Sequence, residues 1–262
     1  MPEIINHAKQ RLQNGQLTVG FGVSRLRTPE IATIAKACGF HWLFIDMEHS
    51  TVDVDRAAEI CAAALPTGVT PLVRVPGMQH FHMTRVLDGG ALGVVVPHVD
   101  TAEQARAIVA ACKYPPAGHR SLMGALPQLG YANVPIPQAI EQINAALLIV
   151  VMLESPQAIA NADEIAAVPG IDVLLIGSND LAAESGVPGQ VGHERIEAAY
   201  GQVIAAARKH GKHPGMGGVY EHKLMEKYIR MGVRFVLGGA DLGFILAGAR
   251  SRTEFLRGIV PD

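Results

Sequence analysis

Charge is sparse in this sequence. Asp, Glu, Lys and Arg make up 18% of the 262 residues, and the net charge is −2. The basic residues are scattered, which leaves no electrostatic footprint for a nucleic-acid backbone. A long apolar run is also missing. The opening stretch MPEIINHAKQRLQNG reads as a short amphipathic helix, so neither a signal peptide nor a membrane span is expected, and a cytoplasmic location follows. Cysteine occurs only at Cys38, Cys61 and Cys112. An odd count without CxxC spacing argues against a disulfide framework or a zinc cluster. Each lies among alanines, where a free thiol is expected to pack in the core as a small apolar residue. There is no GxGxxG after the first expected strand and no GxxxxGK[ST] anywhere, so the phosphate cradles of open α/β sheets are missing.

What is present is apolar: 49% of the residues are hydrophobic. A chain of this length can bury about three quarters of its unfolded surface in one core, and residues 1–262 are read as one domain. Short β-branched runs bounded by Gly, Pro or Asp alternate with Ala-rich helical segments, the signature of a parallel sheet. Strands are expected at 18–24, 42–48, 70–76, 93–99, 147–154, 173–177, 213–219 and 234–239. Eight nearly continuous apolar runs suit a sheet buried on both faces, and eight strands close a barrel. The expected fold class is therefore α/β, a (β/α)8 TIM barrel. One connection is long, from Tyr114 through PPAGHRSLMGALPQLGYANVPIPQ. Long loops in compact domains commonly carry function, and this one is a candidate to fold over the barrel mouth or to reach a neighbouring subunit.

In such a barrel the strands end at one face, and catalytic groups gather there. Glu154 ends the fifth strand and Asp180 follows the sixth, so their carboxylates can converge on one point. Two hard oxygen ligands, completed by water or substrate, suit Mg²⁺, Mn²⁺ or Co²⁺ better than structural zinc. The plainer role for Asp180 is a helix N-cap. Arg74 lies inside the apolar run PLVRVP and needs an anionic partner. It stabilises a developing enolate or alkoxide, or it pairs structurally with Asp46 or Glu48. His49 follows two acids at the end of the second strand, and an imidazole of ordinary pKa, about 6.5, suits proton abstraction at neutral pH. His98 and His213 are the reserve candidates. Asp88, in RVLDGGA, is a candidate to orient His49. Lysine supplies negative evidence: Lys9, Lys36, Lys113, Lys209, Lys212, Lys223 and Lys227 all fall in helices or in helix-to-strand connections. A Schiff-base enzyme needs a reactive amine in its site, so a metal must stabilise the enolate.

Taken in order, FIDMEHS, PLVRVP, VVVPHV, LESPQAIAN and GSNDLA resemble the HpcH/HpaI aldolase family of metal-dependent pyruvate aldolases over nearly the whole chain. The resemblance implies a barrel of the phosphoenolpyruvate/pyruvate superfamily, assembled as a homohexamer with its last helix exchanged between subunits. It implies that Glu154 and Asp180 hold the divalent metal and that His49 is the base, acting through a metal-bound water and tuned by Asp88. Arg74 would stabilise the enolate, and the backbone around Ser178, Asn179 and Asp180 would hold the pyruvate carboxylate. The implied reaction cleaves a 4-hydroxy-2-oxo acid to pyruvate, or a hydroxylated relative, and an aldehyde. Met152 stands where the family commonly has glutamine, and Ser178-Asn179 where it has Pro-Ala; both departures bear on substrate choice. The alternatives are a CoA-ester lyase like the citrate lyase β-subunit group, for which no compact basic patch is evident, and a non-catalytic metabolite-binding barrel, which would leave the set of metal ligands, base and cation idle.

Overall fold

The computed structural model describes residues 4–259; Met1 to Glu3 of the opening stretch lie outside the described residues. Eight parallel strands close a barrel in chain order. They are β1 (Thr18–Val23), β2 (Trp42–Asp46), β3 (Thr70–Arg74), β4 (Gly93–Val96), β5 (Leu148–Leu153), β6 (Val173–Gly177), β7 (His213–Gly217) and β8 (Phe235–Ala240). All eight fall where the apolar runs place them. Several end two or three residues earlier than expected, because the chain leaves the ladder to turn at the mouth. After β2, for example, the Asp46 carboxylate accepts from the amides of Glu48 and His49 and so bends the chain.

The helices are α1 (His7–Gln13), α2 (Ile31–Ala37), α3 (Val54–Ala64), α4 (His80–Asp88), α5 (Ala102–Cys112) and α6 (Ile136–Ala146). They continue with α7 (Pro156–Ala160), α8 (Ala162–Ala166), α9 (Ser178–Glu184), α10 (Glu194–Lys209), α11 (His222–Met231) and α12 (Asp241–Arg257). One buried cluster fills the space between sheet and helices. A second fills the barrel itself with Trp42, Phe44, Leu72, Val95, Met152, Leu175 and Phe235, and Ala8 and Leu12 of α1 plug its lower end. Trp42 stacks on Phe235 at 4.0 Å between ring centroids. Asn6, just before α1, donates to the carbonyls of Leu92 and Ala146 at 3.1 and 2.8 Å. The lower end of the barrel is thus closed by α1, and the barrel opens at the strand C-termini.

The long connection does not cover that mouth. Tyr114 N donates to Asn144 Oδ1 at 2.9 Å, and Gln128 Nε2 donates to the Ala91 carbonyl at 3.0 Å. These contacts hold the segment against the stretches that lead into β4 and β5, at the other end of the barrel. The reason is topological: a helix-to-strand connection starts where its helix ends, at the strand N-termini.

Cys61 and Cys112 are buried as expected, whereas Cys38 is exposed. It caps α2 on the side away from the sheet, so its alanine neighbours do not carry it inward. α12 buries only its first residue, Asp241, whose carboxylate accepts from the amides of Ser24, Arg25 and Leu26 at 3.0, 2.7 and 2.7 Å. Beyond it Phe244, Ile245, Leu246, Phe255 and Leu256 are all exposed. No helix among the described residues is long and apolar enough to cross a membrane.

Candidate active site

At the barrel mouth a cavity of about 150 Å³ is lined by His49, Arg74, Met152, Glu154, Ser178, Asn179 and Asp180, together with Phe44, Gly218, Tyr220 and Leu237. Closing the sheet brings together every site residue expected from the sequence except Asp88. A larger cavity of about 530 Å³ lies under the long connection, but no His, Asp, Glu, Lys or Arg lines it. The chemistry therefore belongs to the smaller one.

Arg74 ends β3 in register with Asp46 at the end of β2. Its Nε and Nη2 donate to the two Asp46 oxygens at 2.9 and 2.7 Å. Its Nη1 lies 2.8 Å from Glu48 Oε2, and the guanidinium sits over the Phe44 ring at 5.0 Å. Burial pushes the Asp46 carboxyl up, but the hydrogen bonds and charge of Arg74, with the His49 and Glu48 amides, outweigh it and hold the group below its ordinary value. The structural pairing with both acids is thus present. Asp46 takes only two of the five guanidinium N–H groups, and Arg74 still lines the cavity.

Glu154 directly follows β5 and is 1% exposed. Burial raises its pKa to about 7; the His98 amide and ring oppose the rise, while the Asp180 and Glu48 charges add to it. His98 N donates to Glu154 Oε2 at 2.9 Å, and His98 Nδ1 stands 3.6 Å from the same oxygen. His98 has φ +52°, a left-handed conformation that costs a non-glycine residue energy and turns its amide onto the carboxylate. Gly177 makes room on the other side, because a Cβ there would lie 2.3 Å from Glu154 Oε1.

Asp180 sits in the first turn of α9. The N-cap of that helix is Gly177 and no side chain caps it, so the plainer role expected for Asp180 is not the one it plays. Ser178 is fully buried and its hydroxyl hydrogen-bonds the Tyr200 hydroxyl at 2.8 Å behind the cavity. Ser178 can therefore offer substrate only its backbone. Met152 belongs to the barrel's inner cluster and gives the cavity floor an apolar patch.

His49 stands at the rim, its side chain 64% exposed and Nε2 3.8 Å from Glu48 Oε2. Asp88 is not near it within the protomer. Asp88 is the last residue of α4, which runs antiparallel to the strands, whereas His49 follows a strand end. The Asp88 carboxylate takes Arg120 at 2.6 Å and borders a different cavity, with His80 and His119. Glu48 occupies the position beside His49 that the sequence assigned to Asp88. None of the seven lysines lies in a strand and none lines the mouth cavity.

The residues present fit a divalent metal. Glu154 and Asp180 are hard oxygen donors, and burial next to other carboxylates makes the Glu154 anion costly until a cation joins it. No group of three or more His, Cys, Asp or Glu is arranged as a metal site among the described residues, so substrate or water oxygens would complete the shell. Sequence reasoning missed Tyr220 and gave His98 only a reserve place. Both follow the strand-end rule, but they lie two or three residues past the ladder, in turns whose direction the sequence does not show.

The profile of the HpcH/HpaI aldolase/citrate lyase family matches residues 23–247. A 4-hydroxy-4-methyl-2-oxoglutarate aldolase of Hapsidospora irregularis is 40% identical over 250 residues, covering 93% of this chain and 92% of that protein. A 4-hydroxy-2-oxovalerate aldolase of Novosphingobium aromaticivorans is 36% identical over 248 residues, covering 94% and 92%. The crystal structure of an HpcH/HpaI aldolase from Desulfitobacterium hafniense superposes with a TM-score of 0.91 at 26% identity, covering 96% of this chain and 97% of the other. With the barrel and its strand-end acids in place, the match over most of the chain makes this protein a member of the HpcH/HpaI aldolase/citrate lyase family.

Proposed function

We propose that the protein is a divalent-metal-dependent aldolase that reversibly cleaves 4-hydroxy-2-oxo acids to pyruvate, or hydroxypyruvate, and an aldehyde. The observation that carries the proposal is the buried Glu154 carboxylate beside Asp180 at the barrel mouth, in one cavity with a paired arginine and a rim histidine. Glu154 and Asp180 would hold Mg²⁺, Mn²⁺ or Co²⁺, which when bound supplies Lewis acidity toward the oxygens of a 2-oxo acid.

The chain's own groups do the rest. Backbone N–H groups at the start of α9, around Ser178, Asn179 and Asp180, hold the substrate carboxylate. The N–H groups of Arg74 left over by Asp46 and Glu48 stabilise the oxygen on which negative charge develops. His49 takes the proton from the C4 hydroxyl as the C3–C4 bond breaks to give the aldehyde and the pyruvate enolate, and its exposure at the rim lets protons exchange with solvent, from which the enolate takes one at C3 to become pyruvate. Glu48 orients and partly neutralises the imidazolium that results. In the addition direction His49 returns the proton to the new hydroxyl.

The proposed setting is a cytoplasmic homo-oligomer, a hexamer by family resemblance. The free cysteines suit a reducing compartment. The exposed apolar side chains of α12 form the kind of surface that a neighbouring copy covers.

Pyruvate release from a panel of 4-hydroxy-2-oxo acids tests the proposal, using protein stripped by chelator and resupplied with each metal. Cleavage should vanish on stripping and return with metal. Cleavage that survives stripping would remove Glu154 and Asp180 as the catalytic centre, and no cleavage under any condition would sink the aldolase assignment.

A further inference from the structure

The chain is poor in aromatic residues, with seven Phe and one Trp, yet three of these stand in one column inside the barrel. Phe235 stacks on Trp42 at 4.0 Å between ring centroids, and Trp42 meets Phe44 edge-on at 6.2 Å and 65°. Trp42, Phe44 and Asp46 are alternate residues of β2, so they share its inner face. Gly20 of β1 admits the tryptophan, because a Cβ there would lie 2.2 Å from its ring. The column ends at the mouth, where the Arg74 guanidinium lies over the Phe44 ring at 5.0 Å. Phe44 is 4% exposed and is held from below by the tryptophan, so its ring is a fixed shelf.

The guanidinium needs such a shelf. Its two bonds to Asp46 run along one edge, from Nε and Nη2, and an edge held in this way is a hinge about which the plane can tilt. Glu48 pairs with Nη1 at 2.8 Å, but it also stands 3.8 Å from His49 and 3.8 Å from His98, so it does not fix the plane by itself. The face of a guanidinium is weakly hydrated and packs flat on an aromatic face, whose negative quadrupole attracts the cation. An aliphatic side chain offers neither the flat surface nor the quadrupole.

We propose that Phe44 is a positioning residue for the carbon–carbon bond step: its ring, backed by Trp42, sets the tilt of the Arg74 guanidinium and aims the N–H groups left over by Asp46 and Glu48 at the developing enolate oxygen. The inference rests on the aldolase reading, which places that oxygen in the mouth cavity. Phe44 takes no proton and acts through Arg74.

The test compares Phe44→Leu and Phe44→Met with the unaltered chain, all metal-loaded, by pyruvate-release kinetics and by the affinity for oxalate, a planar dianion that resembles the enolate in charge and shape. Each variant should lower kcat by about tenfold, since a displacement of about 1 Å in such a group costs about 100-fold, and leave KM within about twofold. Oxalate should bind about tenfold more weakly, as expected of a mimic of the reacting state. Oxalate affinity is independent of the amount of folded protein, so a role in packing alone lowers the melting temperature without moving it. The methionine variant fills more of the ring's volume and keeps the test open if the leucine variant does not fold. Oxalate affinity unchanged within about twofold in the folded variants, or a rise in KM with kcat unchanged, would overturn the inference while leaving the aldolase standing. No pyruvate from the unaltered protein under any condition would overturn the aldolase reading and this inference with it.

Discussion

Lowering the pH from 8 to 6 should weaken divalent-metal binding by about tenfold through Glu154 alone. The reason is competition between the metal and a proton for one carboxylate. With its pKa raised from 4.5 to about 7, the metal-free group is mostly ionised at pH 8 and mostly protonated at pH 6. The apparent dissociation constant grows by about tenfold over that interval, or ~1.4 kcal/mol. The same shift fixes the sign for stability. Between about 4.5 and about 7 the folded, metal-free protein holds a proton that the unfolded chain releases, so this group makes the protein less stable as pH rises, and metal reverses the loss. Calorimetric titration with Mn²⁺ at pH 8, 7 and 6, repeated in buffers of different ionisation enthalpy, measures both the affinity and the proton released. An affinity that changes less than about twofold between pH 8 and 6, with no proton release near pH 7, would refute the reasoning.

Gly177→Ala should place a methyl group 2.3 Å from Glu154 Oε1, where the carboxylate must shift; a displacement of about 1 Å lowers turnover by about 100-fold. Pyruvate-release kinetics with a melting curve check this, and normal turnover would mean that Glu154 is not held where the structure puts it. Arg74→Ala should destabilise the fold by about 3–5 kcal/mol, because it leaves the buried Asp46 carboxylate, and the partly buried Glu48 beside it, without their guanidinium. In the unaltered protein the depressed Asp46 carboxyl contributes stability above its unfolded pKa and loses it as pH falls through the folded value. The variant should lose that contribution and become relatively more stable toward acid, which melting temperatures from pH 8 to 4 would reveal. Gly201→Ala should stabilise the protein by about 0.5–1 kcal/mol, because Gly201 lies inside α10 with nothing within 4 Å of an added Cβ; urea unfolding measures it.

The number and order of the strands were legible in the sequence because each is a short apolar run bounded by turn residues, and eight such runs buried on both faces leave few topologies open. The strand-end rule then named Glu154, Asp180, Arg74 and His49, since a polar residue at the end of a buried strand marks the mouth. The sequence could not give what depends on turns and on closure. Asp88 was assigned to His49 by chemical type and by family resemblance, but within the protomer α4 runs toward the strand N-termini and ends with Asp88 on Arg120, and Glu48 is the acid beside His49. That the Ser178 hydroxyl is tied to Tyr200 of α10, leaving its backbone to the cavity, is likewise decided only by the packing. Tyr220 lines the cavity after the chain turns at Gly218, and His98 meets the Glu154 carboxylate through the left-handed step at residue 98. Periodicity and burial are properties of a segment and are written in its residues. Which groups meet across eight strands, and which carboxylate keeps its proton, is set by distances between segments that only the closed barrel fixes.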